Sequence, residues 1–266
     1  MEYWSVDEIL DGGIANAGRV VRRGDVVLRP STPYSVTVHR FLRELRAIGF
    51  RGASLPLGIQ DDGRERLVYI AGEVPVPPFP NWSQSDGVLA SITRLVRSFH
   101  DASHRVGLVG DEWSPELADP DGGPIICHND VCLENVVFRH GEAIGLLDFD
   151  FAAPGRPVHD LAAFARMCVP IDDDLSAERL GWGRVDRPAR LRLVADTYGL
   201  PAAGRTELLG RLDRSMHGGG AFVQRRVEAG DANFIRMLAE MGGMERYERR
   251  RTWWEANRVA FVDALA

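Results

Sequence analysis

The chain has 266 residues, of which 45% are hydrophobic, and it carries a formal net charge of −6. Its length predicts one or two globular domains, and an acidic balance without any basic tract argues against a nucleic-acid-binding protein. No apolar stretch is long enough to cross a membrane and the start of the chain lacks a targeting pattern, so we expect a cytoplasmic protein.

The N-terminal part of the chain predicts short strands followed by one helix. Residues 12–16, Gly-Gly-Ile-Ala-Asn, predict a turn between two strands, and a third strand, residues 26–29, ends in Arg29. Apolar residues then recur at helical spacing over residues 36–48. Glu44 is the only carboxylate on that predicted helix.

Two further strands, residues 55–59 and 66–70, are predicted on either side of an Asp-Asp-Gly-Arg turn. The second strand runs into a proline-rich stretch, residues 74–80, which cannot continue a sheet. We therefore divide the chain into an N-terminal domain of residues 1–73 and a C-terminal domain of residues 74–266.

A long amphipathic helix is predicted to begin at Ser85, and His100 and His104 lie near its end. Two histidines one helical turn apart rarely bind a metal without a third ligand nearby. We therefore interpret both histidines as surface residues.

The segment from His128 to Asn135 reads His-Asn-Asp-Val-Cys-Leu-Glu-Asn and has a short predicted strand on each side. A hairpin then leads to a third strand, which ends at Asp148 in the sequence Asp-Phe-Asp. This order brings Asp130, Asn135 and Asp148 to one end of a small sheet. In the alternative interpretation, Asp130 and Asn135 only cap turns and Asp148 only ends a strand.

A helix start is predicted at Pro-Val-His-Asp-Leu-Ala, residues 157–162. On this sequence alone, Asp160 is an ordinary helix cap.

Together, the His-Asn-Asp loop with its Asn135, the segment Leu-Asp-Phe-Asp-Phe-Ala at 147–152 and the helix start at 157–162 resemble the motifs of the aminoglycoside phosphotransferase family. These enzymes are small-molecule relatives of protein kinases, and the resemblance covers nearly the whole chain, most weakly at its C-terminal end. It implies an α+β, protein-kinase-like fold with two lobes. The N-lobe would be a small antiparallel sheet with one helix, and the C-lobe would be larger and mainly helical.

The resemblance also implies roles for the loop residues. Asp130 would be the catalytic base that orients or accepts the proton of the attacking hydroxyl, and Asn135 and Asp148 would be ligands of Mg²⁺. His128 would hold the loop by packing and hydrogen bonding, and Asp160 would be a buried carboxylate that supports it.

The co-substrate implied by the resemblance is ATP or GTP, with the first glycine turn lying over its phosphates. Arg29 stands where the family has a lysine that reaches the phosphates, and an arginine is not a simple substitute for it. Either Glu44 pairs with Arg29 or the usual ion pair is missing. The backbone near Val68 and Ile70 would contact the adenine edge.

The C-terminal part predicts four helices, over residues 161–167, 188–198, 206–229 and 233–264. Three glycines at 218–220 should loosen or kink the third of them. In the family, helices of this region form the acceptor pocket. The acidic triplet at 172–174 is interpreted as a solvated loop, with contact to the ammonium groups of an aminoglycoside as the alternative.

These patterns predict a magnesium-dependent kinase that phosphorylates a hydroxyl of a small molecule. An aminoglycoside or other antibiotic is the first expected acceptor, and a metabolite such as an amino alcohol or a sugar is the alternative. A second hypothesis is a non-catalytic kinase-like binding or immunity protein, because Arg29 and its uncertain carboxylate partner depart from the family pattern.

Overall fold

Antiparallel strand pairing organises the N-terminal part of the chain. The computed structural model describes residues 7–10, 18–109, 112–218 and 220–266. Its first sheet contains β1 (Glu8–Ile9), β2 (Val21–Arg23), β3 (Val26–Pro30), β4 (Pro56–Ile59) and β5 (Arg64–Val68). The strands lie in the order β1-β2-β3-β5-β4, and helix α1 (Ser35–Ala47) follows β3 in the chain. The glycine turn predicted at residues 12–16 lies outside the described residues.

The pairing of β3 with β5 places Arg29 directly opposite Glu65. Opposite residues of an antiparallel pair point to the same face of the sheet, so their side chains are neighbours. Both side chains are buried, which makes this pair the polar centre of the N-terminal sheet.

The connection to the rest of the chain is held by a short bridge between Glu73 and Phe138. The amide of Glu73 donates to the carbonyl of Phe138 at 2.8 Å, and the amide of Phe138 donates back at 2.7 Å. Gly72 approaches the same strand so closely that a Cβ atom there would lie 2.5 Å from Cγ1 of Val137. A side chain at position 72 is therefore excluded by packing.

A long helix and two strand pairs form the first half of the C-terminal part. Helix α2 (Asp86–Val106) begins where the hydroxyl of Ser85 accepts a hydrogen bond from the amide of Val88. Strand β6 (Ile125–Cys127) pairs with β9 (Ala153–Gly155), and β7 (Val136–Arg139) pairs with β8 (Glu142–Leu146). These two pairs place the ends of β6 and β8 beside each other, and the predicted site residues follow those ends.

Helices make up the remainder. They are α3 (Pro157–Cys168), α4 (Asp174–Arg179), α5 (Arg187–Tyr198), α6 (Ala202–Gly218), α7 (Ala221–Glu228), α8 (Ala232–Glu240) and α9 (Glu245–Leu265). Helix α6 ends at Gly218 and α7 begins at Ala221, so the single helix predicted over residues 206–229 is divided where the glycines were expected to loosen or kink it. The single helix predicted over residues 233–264 is wrong in its continuity, because Gly242 and Gly243 both have positive φ and separate α8 from α9.

An antiparallel sheet followed by a mainly helical part confirms the predicted α+β class. The core lies under the buried face of α2, where Leu89, Ile92, Val96 and Phe99 are almost fully inaccessible to water. In the part of the chain that the structure describes, no helix is both long and apolar enough to cross a bilayer.

Candidate active site

The loop that carries Asp130 is anchored by the carboxylate of Asp160. This side chain is completely buried and accepts hydrogen bonds from the backbone amides of His128 and Asn129 at 2.7 and 2.8 Å. Burial alone would raise the pKa of Asp160, but the hydrogen bond and charge of His100 outweigh it and hold the pKa below its usual value. Asp160 lies inside the first turns of α3 rather than at its cap, so the simple capping interpretation is wrong.

His100 is a buried member of this network, which corrects the prediction of a surface histidine. Its Nε2 lies 3.0 Å from the carboxylate of Asp160 and its Nδ1 lies 2.7 Å from the hydroxyl of Tyr198. Phe99 and Ser103, which neighbour His100 on α2, are buried as well. His104, by contrast, is exposed, as predicted.

His128 connects the loop to the end of β8. Its Nε2 donates to the carbonyl of Leu147 at 2.8 Å, and burial lowers its pKa. The next residue, Asn129, has a φ of 66° and its side chain donates to the carbonyl of Phe151 at 2.9 Å. These hydrogen bonds attach the loop to Leu147, before Asp148, and to Phe151, after it. They are consistent with a positioning role for His128.

Asp130 and Asn135 are in direct contact. The side-chain amide of Asn135 donates to the backbone carbonyl of Asp130 at 2.8 Å and to its carboxylate at 3.1 Å. The backbone carbonyl of Asn135 accepts from the amide of Leu147 at 2.8 Å, one residue before Asp148. Burial and then the nearby charge of Asp148 raise the pKa of Asp130 to about 8. The three predicted residues thus lie together at one end of the small strands.

Asp148 is held by an arginine from the N-terminal sheet. Its backbone has a φ of 60°, and its carboxylate accepts a hydrogen bond from Arg29 at 2.8 Å. Arg29 is 8% exposed and also binds the carboxylates of Glu65 and Asp150. Burial opposes ionisation of Asp148, but the charge of Arg29 lowers its pKa, whereas burial and the charge of Asp148 raise the pKa of Asp150 to about 7.

The carboxylate partner of Arg29 is Glu65 on β5, so both alternatives considered from the sequence are wrong. Glu44 is exposed on α1, and the ion pair is present without it. The helix contributes His39 instead, whose Nε2 lies 2.6 Å from the second carboxylate oxygen of Glu65. The predicted strand began at residue 66, one position too late to include Glu65.

The two residues expected at the adenine edge differ in their free backbone groups. The amide of Val68 donates to the carbonyl of Leu55 at 2.9 Å, and the carbonyl of Val68 accepts from the hydroxyl of Ser54. Val68 therefore has no free amide to offer a base. Within the described residues, the backbone of Ile70 forms no hydrogen bond, and its side chain packs against Gly145.

Oxygen donors suited to Mg²⁺ gather where Arg29 meets the loop. Asn135 supplies an amide, and Asp148 and Asp150 supply carboxylates, the ligand types that this ion prefers. Three carboxylates, including Glu65, surround the single guanidinium of Arg29, so a further positive charge fits there. Among the described residues, no three His, Cys, Asp or Glu side chains form a complete metal cluster, and Mg²⁺ commonly uses only one or two protein carboxylates beside substrate phosphates.

Two of the three acidic residues at 172–174 are neither solvated nor available to a cation. Asp172 is buried and its carboxylate binds Arg246 at 3.1 Å and Arg250 at 2.6 Å. Asp173 is buried as well and binds Arg249 at 3.3 Å. Only Asp174 is exposed at its carboxylate, where it pairs with Arg187. This cluster joins the start of α9 to the segment between α3 and α4, and the sequence analysis did not identify its arginines.

Comparison with known proteins identifies a family and a relative that this chain resembles. A profile of the phosphotransferase enzyme family (APH) matches residues 108–194, the span that contains the loop, Asp148 and Asp160. The chain is also similar to the trifolitoxin immunity protein of Rhizobium leguminosarum bv. trifolii. The two are 36% identical over 217 residues, which cover 77% of this chain and 79% of the relative.

Solved structures agree on the fold. The ternary complex of streptomycin, ATP and APH(2″)-IIa has a TM-score of 0.54 at 14% identity, covering 90% of this chain and 94% of that one. A choline/ethanolamine kinase family protein from Mesorhizobium loti has a TM-score of 0.57 at 18% identity, covering 95% of this chain and 93% of that one. These likenesses confirm the protein-kinase-like fold that the sequence predicted.

Proposed function

Because this chain belongs to the phosphotransferase enzyme family of small-molecule kinases, we propose that it moves the γ-phosphate of ATP or GTP to a hydroxyl group of a small molecule. The contact between Asn135 and Asp130 is the main support, because it holds a carboxylate and an amide side by side. Asp148 lies beside them at the end of the next strand.

Asp130 is proposed as the catalytic base. Its carboxylate is oriented by Asn135, and the backbone on its N-terminal side is fixed by Asp160 and His128. A base held this way orients the acceptor hydroxyl and takes its proton, an effect typically worth ~10²–10⁴ in rate. Burial and the charge of Asp148 raise the pKa of Asp130, and a cation bound beside it would lower that pKa again.

Asn135 and Asp148 are proposed as the ligands of Mg²⁺. When bound, the ion would neutralise charge on the nucleotide phosphates and favour the ionised form of nearby carboxylates. Arg29 binds Asp148 at 2.8 Å, and we propose that its guanidinium takes the role of the lysine usual in the family. Of Val68 and Ile70, only Ile70 has a backbone that forms no hydrogen bond within the described residues, and we propose it as the contact to the base.

The acceptor is proposed only as a hydroxylated small molecule. An aminoglycoside or other antibiotic, and a metabolite such as an amino alcohol or sugar, are the two expectations from the sequence. Similarity to the trifolitoxin immunity protein favours a role in protection against a toxic compound.

The direct test is phosphate transfer to a library of hydroxylated compounds with Mg²⁺ and ATP or GTP. Asp130→Asn should lower the rate by at least about a hundredfold and leave nucleotide-dependent thermal stabilisation in place. Asp101→Asn, at an exposed carboxylate of α2, is the matched control and should behave as the wild type. Transfer that survives Asp130→Asn at the wild-type rate would exclude Asp130 as the base.

A second candidate is a binding or immunity protein without turnover. It is favoured by the ion pair between Arg29 and Asp148, which occupies a carboxylate that Mg²⁺ would use, and by the name of the relative from Rhizobium. Cells that express Asp130→Asn separate the two functions. Protection that persists in the variant supports binding alone, whereas protection that disappears with transfer supports the enzyme.

A further inference from the structure

The three carboxylates around Arg29 are each bound by a different nitrogen of its guanidinium. Glu65 binds Nε, at the base of the group, whereas Asp148 binds one terminal nitrogen at 2.8 Å and Asp150 binds the other. Glu65 lies on β5 in the N-terminal sheet, and the two aspartates follow β8 in the C-terminal part. Both terminal nitrogens of Arg29 are therefore directed to the proposed metal site, and only Nε is held within the sheet.

Glu65 gives Arg29 only one of its two carboxylate oxygens. A carboxylate and a guanidinium can form two parallel hydrogen bonds, and that arrangement would take a terminal nitrogen of Arg29 as well. The second oxygen of Glu65 instead lies 2.6 Å from Nε2 of His39. Glu65 is 1% exposed and His39 is 3% exposed, so this oxygen has little access to water as an alternative partner. His39 thus occupies the oxygen that would otherwise be free to accept a second hydrogen bond from Arg29.

The hydrogen bond between His39 and Glu65 has a defined direction. Burial opposes the ionisation of Glu65, but the hydrogen bond of His39 and the charge of Arg29 hold its pKa below the ordinary value. An ionised carboxylate can only accept hydrogen bonds, so Nε2 of His39 carries a proton and donates it. A side-chain amide nitrogen at the same place could donate in the same way, which makes glutamine the conservative substitute for this histidine.

Helix α1 holds His39 in a fixed place relative to the C-terminal part. Phe41, two residues after His39 on α1, packs edge-on against Phe99 of α2 at 6.2 Å and against Trp113 at 5.7 Å. Phe41 and Phe99 are completely buried. A side chain on a packed helix is placed more precisely than one on a loop. The packing of α1 therefore determines where the carboxylate of Glu65 is held.

We propose that His39 is a positioning residue for Arg29. By holding one oxygen of Glu65, His39 limits that carboxylate to Nε and leaves both terminal nitrogens of Arg29 for groups on the C-terminal side. In the structure, these groups are Asp148 and Asp150. With nucleotide bound, they are phosphate oxygens, which a guanidinium binds in the same paired manner. This inference rests on the proposed function and adds a residue on which its nucleotide site depends.

The test compares two amides at position 39 that differ in reach. The side-chain nitrogen of glutamine can lie where Nε2 of histidine lies, whereas that of asparagine ends closer to the backbone, near the place of Nδ1. Leu45→Ala is the matched control, because Leu45 is fully buried on the same helix and has no polar side-chain atom. It should lower stability without changing the hydrogen bonds of Glu65.

Isothermal titration calorimetry with Mg²⁺ gives the Kd of a nucleoside and of its non-hydrolysable triphosphate, for the adenine and the guanine forms. The ratio of the nucleoside Kd to the triphosphate Kd measures what the phosphates contribute to binding. A variant that only lowers the fraction of binding-competent protein weakens both ligands equally and leaves the ratio unchanged. The ratio therefore separates the positioning of Arg29 from a general loss of structure.

We expect His39→Asn to lower this ratio by at least about tenfold, because Glu65 can then take a terminal nitrogen of Arg29 away from the phosphates. His39→Gln should keep the ratio near that of the wild type, and Leu45→Ala should keep it while its melting temperature falls. A wild-type ratio in His39→Asn, or a loss in His39→Gln or Leu45→Ala as large as in His39→Asn, would overturn the proposal. If His39→Asn does not fold, His39→Met takes its place, because methionine has a similar size and no donor.

Nucleotide binding requires no transfer of phosphate, so the two proposals fail separately. A ratio that depends on His39, without transfer to any acceptor, would refute the kinase and keep the positioning role. Transfer of phosphate together with a wild-type ratio in His39→Asn would refute the positioning role and keep the kinase. A wild-type protein that binds neither nucleotide would refute both.

Discussion

Arg29 and Glu65 face each other across β3 and β5 and form an ion pair that is almost completely shielded from water. The same guanidinium binds the carboxylates of Asp148 and Asp150, which follow the end of β8. A single arginine thus connects the N-terminal sheet to the proposed metal site. His39 extends the connection to α1 through the second oxygen of Glu65.

Replacing Arg29 by glutamine should destabilise the protein by about 3–5 kcal/mol, because removal of one partner leaves buried carboxylates without a counter-charge. Arg29→Lys should lose less, since it keeps the charge but lacks the planar fork of donors that reaches the three carboxylates. The free energy of unfolding in urea measures both effects. A glutamine variant as stable as the wild type would show that the buried carboxylates do not depend on Arg29.

Mg²⁺ and Arg29 should compete for Asp148. In the absence of nucleotide, Mg²⁺ is expected to raise the melting temperature of Arg29→Gln more than that of the wild type, because the variant frees a carboxylate oxygen of Asp148. The control is the double variant that combines Arg29→Gln with Asp148→Asn. Its melting temperature should not show the additional increase with Mg²⁺. A larger magnesium response in the wild type than in Arg29→Gln would contradict the competition.

Asp160→Asn should destabilise the protein by about 3 kcal/mol, because the amide group cannot replace a buried carboxylate that accepts from two backbone amides. The exposed Asp101→Asn should change stability by no more than about 0.5 kcal/mol. Chemical denaturation of the two variants gives the comparison. Equal effects of the two substitutions would argue against a bracing role for Asp160.

Stability should fall at acidic pH in part through Asp172. Burial opposes its ionisation, but the charge and hydrogen bond of Arg250 lower its pKa to about 2. Because the unfolded chain binds this proton more readily, the stabilisation is present above the ordinary pKa near 4 and is lost as pH falls toward 2. Its size is about 2 kcal/mol.

The measurement is the free energy of unfolding between about pH 5 and pH 2. Asp172→Asn should flatten this dependence, whereas Asp174→Asn, at an exposed carboxylate, should leave it unchanged. If the free energy of unfolding depends on pH equally in the wild type and Asp172→Asn, Asp172 does not contribute to the loss of stability in acid.

Gly72→Ala should destabilise the protein by about 1–3 kcal/mol, because the new methyl group would clash with the carbonyl of Phe138 and with Val137. Gly87→Ala is the matched control on α2, where the nearest atom would be 3.9 Å away. Alanine favours a helix over glycine, so the control should be neutral or slightly stabilising. Thermal or urea unfolding of both variants tests the pair.

The proximity of Asp130, Asn135 and Asp148 could be predicted because these residues are close in sequence and adjoin short strands. Asp130, Asn135 and Asp148 are brought together by the ends of β6 and β8, which the apolar runs already marked. Glu65 could not be found in this way, since its partner Arg29 is reached only through the register of two strands far apart in sequence. The two alternatives drawn from the sequence, pairing with Glu44 or a missing ion pair, both omitted Glu65 for the same reason.

The structure of the C-terminal half was harder to predict from the sequence, because its polar contacts join segments that are far apart in the chain. Asp172 and Asp173 looked like a solvated loop until α9 brought three arginines to them. His100 was predicted to be exposed, because histidine occurs both at the surface and in the interior of proteins. Its burial depends on Asp160 and Tyr198, which are far from it in sequence and contact it only in the folded chain. Helix boundaries followed the glycines where these adopt positive φ, as at Gly242 and Gly243.

The two-way hydrogen bonding between Glu73 and Phe138 fixes the end of the interlobe connection to strand β7. A second bridge, between Ala53 and Leu146, joins the segment before β4 to the end of β8. The N-terminal part is thus attached to the C-terminal strands at two points, and any movement that took Arg29 away from Asp148 would have to turn about both points or break one of them.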